Sequence, residues 1–169
     1  MKKALLVIDI QNDYLWEKRK KKFIYDTDKI IGNINETINK YKDEADIIYI
    51  SHLINNIITN KILFGFSIKG TEGAKLYSKL NVVSNLKFDK YLGDAFTAKN
   101  FKNHMLKNNY NEVFICGLDL CGCVYHTTKG SIKNGFKTTL IMNSIACRYN
   151  DSKKEKIIAK LNSLGAKII

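Results

Sequence analysis

Short apolar runs without polar interruption constrain the fold of this 169-residue chain more than any other feature. The clearest are residues 4–8, 47–50 and 113–116, where hydrophobic side chains follow one another instead of alternating with polar ones. Strands of a parallel sheet that is covered on both faces have this composition, because neither face meets water. Six segments are predicted as strands, at residues 4–8, 47–50, 82–88, 113–116, 138–142 and 166–169.

Amphipathic segments lie between these runs. After candidate capping residues at 26–28, isoleucines at 30, 34 and 38 recur with the period of a helix. A later helix is expected to turn Phe101, Met105 and Leu106 inward. Alternating strands and helices imply parallel pairing through right-handed crossovers. We therefore predict one domain over residues 1–169, an α/β fold in which a six-stranded, mostly parallel sheet forms the centre of a three-layer α/β/α sandwich.

The charge balance and the cysteines limit which partners and which cellular compartment are expected. Lys and Arg number 28 against 16 Asp and Glu, a formal net charge of +12. One dense basic run, residues 18–22, lies in a predicted loop, and the remaining excess is spread along the chain, so nucleic acid is not expected as a partner. No apolar stretch approaches the roughly 18 residues that span a bilayer, and no signal peptide is predicted. The four cysteines lack Cys-x-x-Cys spacing, so a cytoplasmic chain with reduced thiols is expected.

Polar side chains suited to catalysis follow several of the predicted strands. Asp9 ends the first run, His52 follows the second and Lys90 follows the third. Cys123 lies beyond the run at 113–116, where a helix is predicted to begin. The carboxyl ends of parallel strands meet at one edge of the sheet, where open α/β folds bind their ligands. We therefore expect Asp9, Lys90 and Cys123 to converge, and we expect the lysine and the helix dipole to depress the pKa of the Cys123 thiol.

The stretches that carry these residues resemble the isochorismatase-like cysteine hydrolases. Residues 7–14, Val-Ile-Asp-Ile-Gln-Asn-Asp-Tyr, resemble the opening strand of that family, and residues 90–96, Lys-Tyr-Leu-Gly-Asp-Ala-Phe, resemble its Lys-x-x-x-Ser-Ala-Phe stretch. Residues 117–124, Gly-Leu-Asp-Leu-Cys-Gly-Cys-Val, resemble its Gly-x-x-Thr-x-x-Cys-Val motif. Residues 70–74 match a weaker Gly-Thr-x-Gly-Ala signature. The four stretches occur in the order that the family has.

The resemblance implies a catalytic mechanism. Asp9 is the implied base, Lys90 the implied catalytic lysine and Cys123 the implied nucleophile, which attacks an amide-like carbonyl and forms a thioester. The backbone N–H groups of Asp119 and Cys123 are implied to hold the oxyanion, and a cis peptide between Leu118 and Asp119 is implied to aim them. Members that split the isochorismate vinyl ether lack the cysteine, so Cys123 favours hydrolysis of a carbon–nitrogen bond.

A small-molecule substrate is expected, with Gln11, Tyr14, Trp16 and His52 as its binding residues. Nicotinamidases of the family hold a metal with an Asp-x-His and a further His after the second strand. Here that region reads Ser-His-Leu-Ile-Asn at residues 51–55, so no catalytic metal is predicted, and no cofactor is expected.

Other interpretations stay open beside the hydrolase. The chain could be a binding protein with this fold that has lost turnover, or a basic protein that binds anions or nucleic acid through residues 18–22. Members of the family commonly associate, so a homo-oligomer, a dimer or larger, is expected. The register of the family motif selects Cys123 rather than Cys121 as the nucleophile, and Cys116, on a predicted strand, is expected to be inert.

Overall fold

A parallel sheet lies at the centre of the protein, of which the computed structural model describes residues 2–169. The strands are β1 (Lys2–Ile8), β2 (Asp46–His52), β3 (Lys87–Lys90), β4 (Tyr110–Gly117), β5 (Lys137–Ile145) and β6 (Lys167–Ile168). They pair in the order β3-β2-β1-β4-β5-β6, and every neighbouring pair is parallel. The predicted six-stranded parallel sheet is therefore confirmed.

Helices cover both faces of this sheet. They are α1 (Asn12–Leu15), α2 (Thr27–Tyr41), α3 (Ile58–Leu63), α4 (Lys99–Lys107), α5 (Tyr125–Lys133) and α6 (Asp151–Ser163). Short 3₁₀ turns lie at Glu72–Ala74 and Ala95–Thr97, and a π-helical turn at Leu120–Val124 leads into α5. None of the described helices is long and apolar enough to cross a membrane.

The alternation of side chains along β1 explains why its apolar run is unbroken. Leu5 lies in a core that includes Ile34 of α2, on one face of the sheet. Leu6 lies in a second core, on the opposite face, together with Phe101 of α4 and Leu161 of α6. Successive residues of a strand point to opposite faces, so a strand between two layers of helices needs apolar residues at every position. This arrangement is the predicted three-layer α/β/α sandwich.

The third strand differs from its predicted position. The sequence predicts it at residues 82–88, whereas β3 begins at the end of that segment. The Val83 N–H instead donates to the Tyr49 hydroxyl oxygen at 3.0 Å, so a side chain rather than a strand ladder holds the start of the segment. The shift makes Lys90 the last residue of β3, and Lys90 pairs in register with His52 at the end of β2.

One helical side chain was also assigned to the wrong face. Leu106 is 46% exposed, whereas Phe101 and Met105 of the same helix are completely buried. Residues four apart share a face of a helix, and residue 106 is rotated about 100° from residue 105. The prediction that Leu106 faces inward is therefore wrong.

Gly117 joins the end of β4 closely to the end of β1. A side-chain Cβ at this position would lie 2.2 Å from the Ile8 carbonyl oxygen, and the φ of Gly117 is 117°, so only glycine fits. The next residue, Leu118, donates its N–H to the same Ile8 oxygen at 2.9 Å. The residues that follow β1 and those that follow β4 are thereby held side by side.

Candidate active site

Asp9, Lys90 and Cys123 meet at the carboxyl edge of the sheet. The Lys90 Nζ donates to Asp9 Oδ2 at 2.9 Å and lies 3.0 Å from Cys123 Sγ, so one ammonium group contacts both. Lys90 has no exposed surface and Asp9 is 3% exposed. The buried Oδ1 atom of Asp9 has no hydrogen-bond partner within residues 2–169, so it can accept a further hydrogen bond.

The ends of three strands bring these groups together. Asp9 directly follows β1 and has a φ of 56°, a left-handed conformation that is costly for a residue with a side chain. Its N–H donates to the Ile50 carbonyl at 2.8 Å, which fixes it against β2. Lys90 ends β3, and β2 lies between β3 and β1, so the long lysine side chain reaches past the end of β2 to Asp9. Cys123 comes from the turn after β4.

The pKa of the Cys123 thiol moves in the opposite direction from the predicted one. Burial and the charge of Asp9 outweigh the nearby Lys90 ammonium and raise the pKa of Cys123 to about 12. Gly122 interrupts the helical conformation just before Cys123, with φ −127° and ψ −114°, so the thiol is not in the first turn of a regular helix as predicted. Burial alone would lower the pKa of Lys90, but the charges of Asp9 and Cys123 raise it.

The other three cysteines lie away from Lys90. The Cys121 Sγ lies 3.5 Å from the Cys147 Sγ and contacts that thiol instead. Cys116 is completely buried on β4, and burial raises its pKa. Cys123 and Cys121 therefore contact different groups, and the prediction that Cys123 is the nucleophile stays a prediction.

Asp119 is held by three hydrogen bonds at the wall of the site. Its carboxylate accepts from the Cys121 N–H at 2.9 Å, from the Tyr25 hydroxyl at 3.1 Å and from the Arg148 N–H at 2.8 Å. The peptide between Leu118 and Asp119 is cis, as the resemblance implies. These contacts fix the backbone beside Cys123, where the two N–H groups with an implied oxyanion role are located.

A cavity of about 180 Å³ opens onto these groups. Of its lining residues, Asp9 and Leu118 are buried and Cys123 is half-buried, and we refer to these three as its inner end; four aromatic rings of Tyr and Phe also belong to the lining. The two cationic residues of the lining, Lys22 and Arg148, are exposed and half-buried respectively, and we refer to them as the mouth of the cavity. The full lining comprises Asp9, Tyr14, Lys22, Phe23, Tyr25, His52, Phe66, Leu118, Asp119, Gly122, Cys123 and Arg148.

Two of the four predicted substrate-binding residues line this cavity. They are Tyr14 and His52, and the Tyr14 hydroxyl is 3.5 Å from the His52 Nδ1. Burial and the Lys90 charge lower the pKa of His52, which favours a neutral imidazole. Burial and the Asp9 charge raise the pKa of Tyr14 well above its ordinary value, which keeps its hydroxyl protonated.

The other two predicted substrate-binding residues, Gln11 and Trp16, lie outside the cavity lining. The Gln11 amide is buried and bridges the backbone, since it accepts from the His52 N–H at 2.9 Å and donates to the carbonyls of His52 and Ala74. Trp16 is half-buried away from the cavity. Gln11 therefore holds the His52 backbone in position without lining the cavity itself.

Sequence reasoning missed several residues of the cavity wall. Tyr25 and Phe66 come from loops without a clear period, and Lys22 was considered only as part of the basic run at residues 18–22 in a predicted loop. Arg148 comes three residues after the end of β5, so the rule that ligands bind at the carboxyl ends of strands could have identified it.

The histidines do not gather at this site. His52 lines the cavity, whereas His104 lies on α4 within 3.3 Å of the Tyr110 hydroxyl, and His126 lies on α5 beside Gly93. Of the described residues, Asp119, Cys121 and Cys147 have potential metal-binding atoms within 4.8 Å of one another. The prediction that no catalytic metal is bound stays a prediction.

Comparison with known proteins identifies the family. The sequence matches the isochorismatase domain over residues 3–169, and the chain belongs to the isochorismatase family. It is 21% identical over 148 residues to the uncharacterized isochorismatase family protein YddQ of Bacillus subtilis, covering 86% of this chain and 78% of that protein.

Solved structures share the fold at low sequence identity. The zinc complex of a pyrazinamidase from Pyrococcus horikoshii has a TM-score of 0.87 and 22% identity, covering 100% of this chain and 99% of that one. The nicotinamidase/pyrazinamidase PncA of Bacillus subtilis has a TM-score of 0.83 and 24% identity, covering 99% of both chains. An N-carbamoylsarcosine amidase from Thermoplasma acidophilum has a TM-score of 0.80 and 20% identity, covering 99% and 95%.

Proposed function

We propose that this protein is a cysteine-dependent hydrolase that cleaves a carbon–nitrogen bond in a small amide-like substrate through a thioester. The observation that carries the proposal is the double contact of the buried Lys90 ammonium with Asp9 Oδ2 at 2.9 Å and with Cys123 Sγ at 3.0 Å. An acid, a cation and a thiol at the inner end of a cavity are the groups that nucleophilic attack on a carbonyl requires. Membership of the family, and amidases among the proteins of the same fold, support amide hydrolysis.

The first half of the reaction follows from the charges of the site. A thiol with its pKa raised to about 12 is protonated near neutral pH, so the proton leaves as the sulfur attacks. Asp9 accepts this proton, and its unpartnered Oδ1 is a free acceptor for it. As the carbon–sulfur bond forms, the carbonyl electron pair moves to oxygen, and the backbone N–H groups of Asp119 and Cys123 stabilise that oxyanion. Each such donor is typically worth about 3 kcal/mol of barrier.

The second half returns the proton and clears the thioester. The oxyanion collapses, the carbon–nitrogen bond breaks, and Asp9 gives its proton to the leaving amine. Asp9 then takes a proton from a water molecule that attacks the thioester carbon. The carbon–sulfur bond breaks, Asp9 passes that proton to the Cys123 sulfur, and the acid product leaves. Lys90 stays protonated throughout, because the charges around it raise its pKa, and it holds both reacting side chains in position.

The cavity favours a small, flat substrate with a negative charge. Its volume of about 180 Å³ and its aromatic wall suit a compact planar molecule. Lys22 Nζ lies 4.1 Å from the Phe66 ring centroid, and Arg148 Cζ lies 5.8 Å from that of Phe23. Burial and the charges of Lys20 and Arg148 lower the pKa of Lys22, a sign of crowded positive charge.

Within residues 2–169, the side chains of Lys20, Lys22 and Arg148 have no carboxylate within salt-bridge distance. An anionic substrate group at the mouth would therefore relieve their mutual repulsion. We infer that the substrate is an amide that also carries an acidic group.

The test of this function is detection of the acyl-enzyme. The protein is incubated with monoamides of short dicarboxylic acids and with N-carbamoyl amino acids, and ammonia release is measured. Samples quenched in acid are analysed by intact mass and peptide mapping. We expect ammonia release and an acyl adduct on Cys123, with both absent in Cys123→Ala. Undiminished hydrolysis by Cys123→Ala would overturn the thioester mechanism, and tight binding of the amides without ammonia release would favour a binding protein.

A further inference from the structure

Cys121 and Cys147 form a pair of thiols outside the cavity. Their Sγ atoms are 3.5 Å apart, both side chains are half-buried, and neither lines the cavity that contains Cys123. A disulfide bond is about 2.05 Å long, so the sulfurs need to approach by only ~1.5 Å. Geometry alone therefore brings the pair close to a covalent link.

Backbone pairing holds the two thiols together. The Ala146 N–H donates to the Gly117 carbonyl at 3.2 Å, and the Leu120 N–H donates to the Ala146 carbonyl at 2.9 Å. The Arg148 N–H donates to Asp119 Oδ2 at 2.8 Å. Each cysteine is adjacent in sequence to a residue in this set, so the contact between the thiols does not depend on flexible side chains alone.

We propose that Cys121 and Cys147 are a reversible modification site, which a small-molecule disulfide converts to an intramolecular disulfide while Cys123 stays reduced. The Cys147 thiolate attacks a sulfur of the oxidant, the oxidant's sulfur–sulfur bond breaks, and one small thiol leaves. The Cys121 sulfur then attacks the Cys147 sulfur, the mixed sulfur–sulfur bond breaks, and the departing small thiolate takes up the proton that Cys121 gives up, leaving as the second small thiol. Two electrons pass from the pair to the oxidant, and excess thiol reverses both steps.

The order of attack is part of the proposal. Burial and the neighbouring Cys147 raise the pKa of Cys121, and we assign Cys121 as the resolving thiol. The remaining thiols have no such partner: Cys123 contacts Lys90, and Cys116 is completely buried. An oxidised pair would tie the segment that carries Asp119 to the loop that carries Arg148.

Binding of a soft metal ion is the alternative role for this pair of thiols, because an Asp119 oxygen lies within 4.8 Å of both sulfurs. The Asp119 carboxylate already accepts three hydrogen bonds. The positive charge of Lys153 also acts on Cys121, and that of Arg148 lies near Asp119. These charges oppose a cation and favour oxidation of the two thiols.

The experiment uses the whole reduced protein and glutathione disulfide as the oxidant. After incubation near neutral pH, the protein is unfolded in urea, free thiols are blocked with excess iodoacetamide, and peptides are mapped by mass spectrometry. We expect a linked peptide pair containing Cys121 and Cys147, alkylated Cys123, and full reversal by dithiothreitol. Cys121→Ser should stop with glutathione bound at Cys147. Cys123→Ser is the matched control and should form the link as readily as the wild type.

Three results would overturn the proposal. One is a persistent glutathione adduct in the wild type without the internal link. Another is a disulfide that includes Cys123. The third is protection of both thiols from iodoacetamide by one equivalent of zinc in the absence of oxidant, which would reassign the pair as a metal site. Hydrolysis of amides is measured separately, so none of these results bears on the proposed activity.

Discussion

Cys123 and Cys121 are separated by one residue, yet they occupy two different chemical environments. Burial is the main cause that raises the pKa of each thiol to about 12. Cys123 contacts a buried ammonium that is itself paired with the Asp9 carboxylate, whereas Cys121 contacts a second thiol. Gly122 between them has non-helical backbone angles. A thiol's chemistry is therefore decided by the groups that the fold brings to it, and less by its position in the local sequence.

The largest difference between the two thiols should appear in amide hydrolysis. Cys123→Ala removes the proposed nucleophile and should lower kcat/KM by at least about 10³-fold. Cys121→Ala removes a thiol that contacts neither Asp9 nor Lys90 and should stay within about threefold of the wild type. Steady-state ammonia release from the same acid-bearing amides measures both. Equal losses in the two variants would remove the distinction between the two sites.

Substitution of Asp9 should give the second largest effect on activity. Asp9→Asn removes the proposed base and should lower kcat by about 10²- to 10⁴-fold. The same change removes the negative charge that raises the pKa of Cys123, so that pKa should fall below about 12. The rate of iodoacetamide labelling at Cys123, measured against pH, reports this pKa independently of turnover. A loss of activity with no fall in the Cys123 pKa would indicate that Asp9 maintains the folded site but does not act on the Cys123 thiol.

The buried thiol should also affect stability at alkaline pH. A group whose pKa is raised on folding stabilises the folded protein below its unfolded pKa, near 8.5 for cysteine, and that contribution is lost as the pH rises towards the folded value of about 12. Between pH 8 and pH 10 the wild type should lose about 1 to 2 kcal/mol more free energy of unfolding than Cys123→Ser. Urea unfolding at both pH values tests this, and parallel curves for the two proteins would contradict it.

Substitution of the cations at the cavity mouth should give the smallest effect. Iodoacetate and iodoacetamide carry the same alkylating group, but only the first is anionic. Lys22→Gln or Arg148→Gln should lower the ratio of their labelling rates at Cys123 by about 3- to 10-fold, because each removes a nearby attractive charge. Lys40→Gln, an exposed charge on α2, is the matched control and should leave the ratio unchanged. The same ratio in all four proteins would argue against an anionic substrate.

Local patterns were sufficient for most of the fold. The apolar run in β1 predicts a strand buried on both faces, and its adjacent residues Leu5 and Leu6 lie in opposite cores. The third strand was misplaced because β3 is short and lies at the edge of the sheet, so its segment has a weak apolar signal. Leu106 was misassigned because a residue next to a buried one in a helix is rotated about 100° around the axis, and sequence alone did not show that Leu106 falls outside the buried face.

The sequence by itself determined which residues stand at the ends of the strands, because a strand and the residue after it are adjacent in the chain. Asp9 and Lys90 were placed at strand ends in this way, and the motifs that carry Asp9, Lys90 and Cys123 indicated the family to which the chain belongs. The tertiary structure alone decided what surrounds them. Lys22, Tyr25 and Arg148 reach the cavity because loops from distant parts of the chain close over the sheet.

The pKa of Cys123 and the contact between Cys121 and Cys147 have the same origin. The sequence pointed to a thiol beside a lysine and a helix N-terminus, and therefore to a depressed pKa. Burial and the charge of a carboxylate from another strand reversed that direction. Cys121 and Cys147 are distant in sequence and meet through hydrogen bonds between two chain segments. Desolvation and long-range contacts depend on the complete fold, and they decided the chemistry of the thiols.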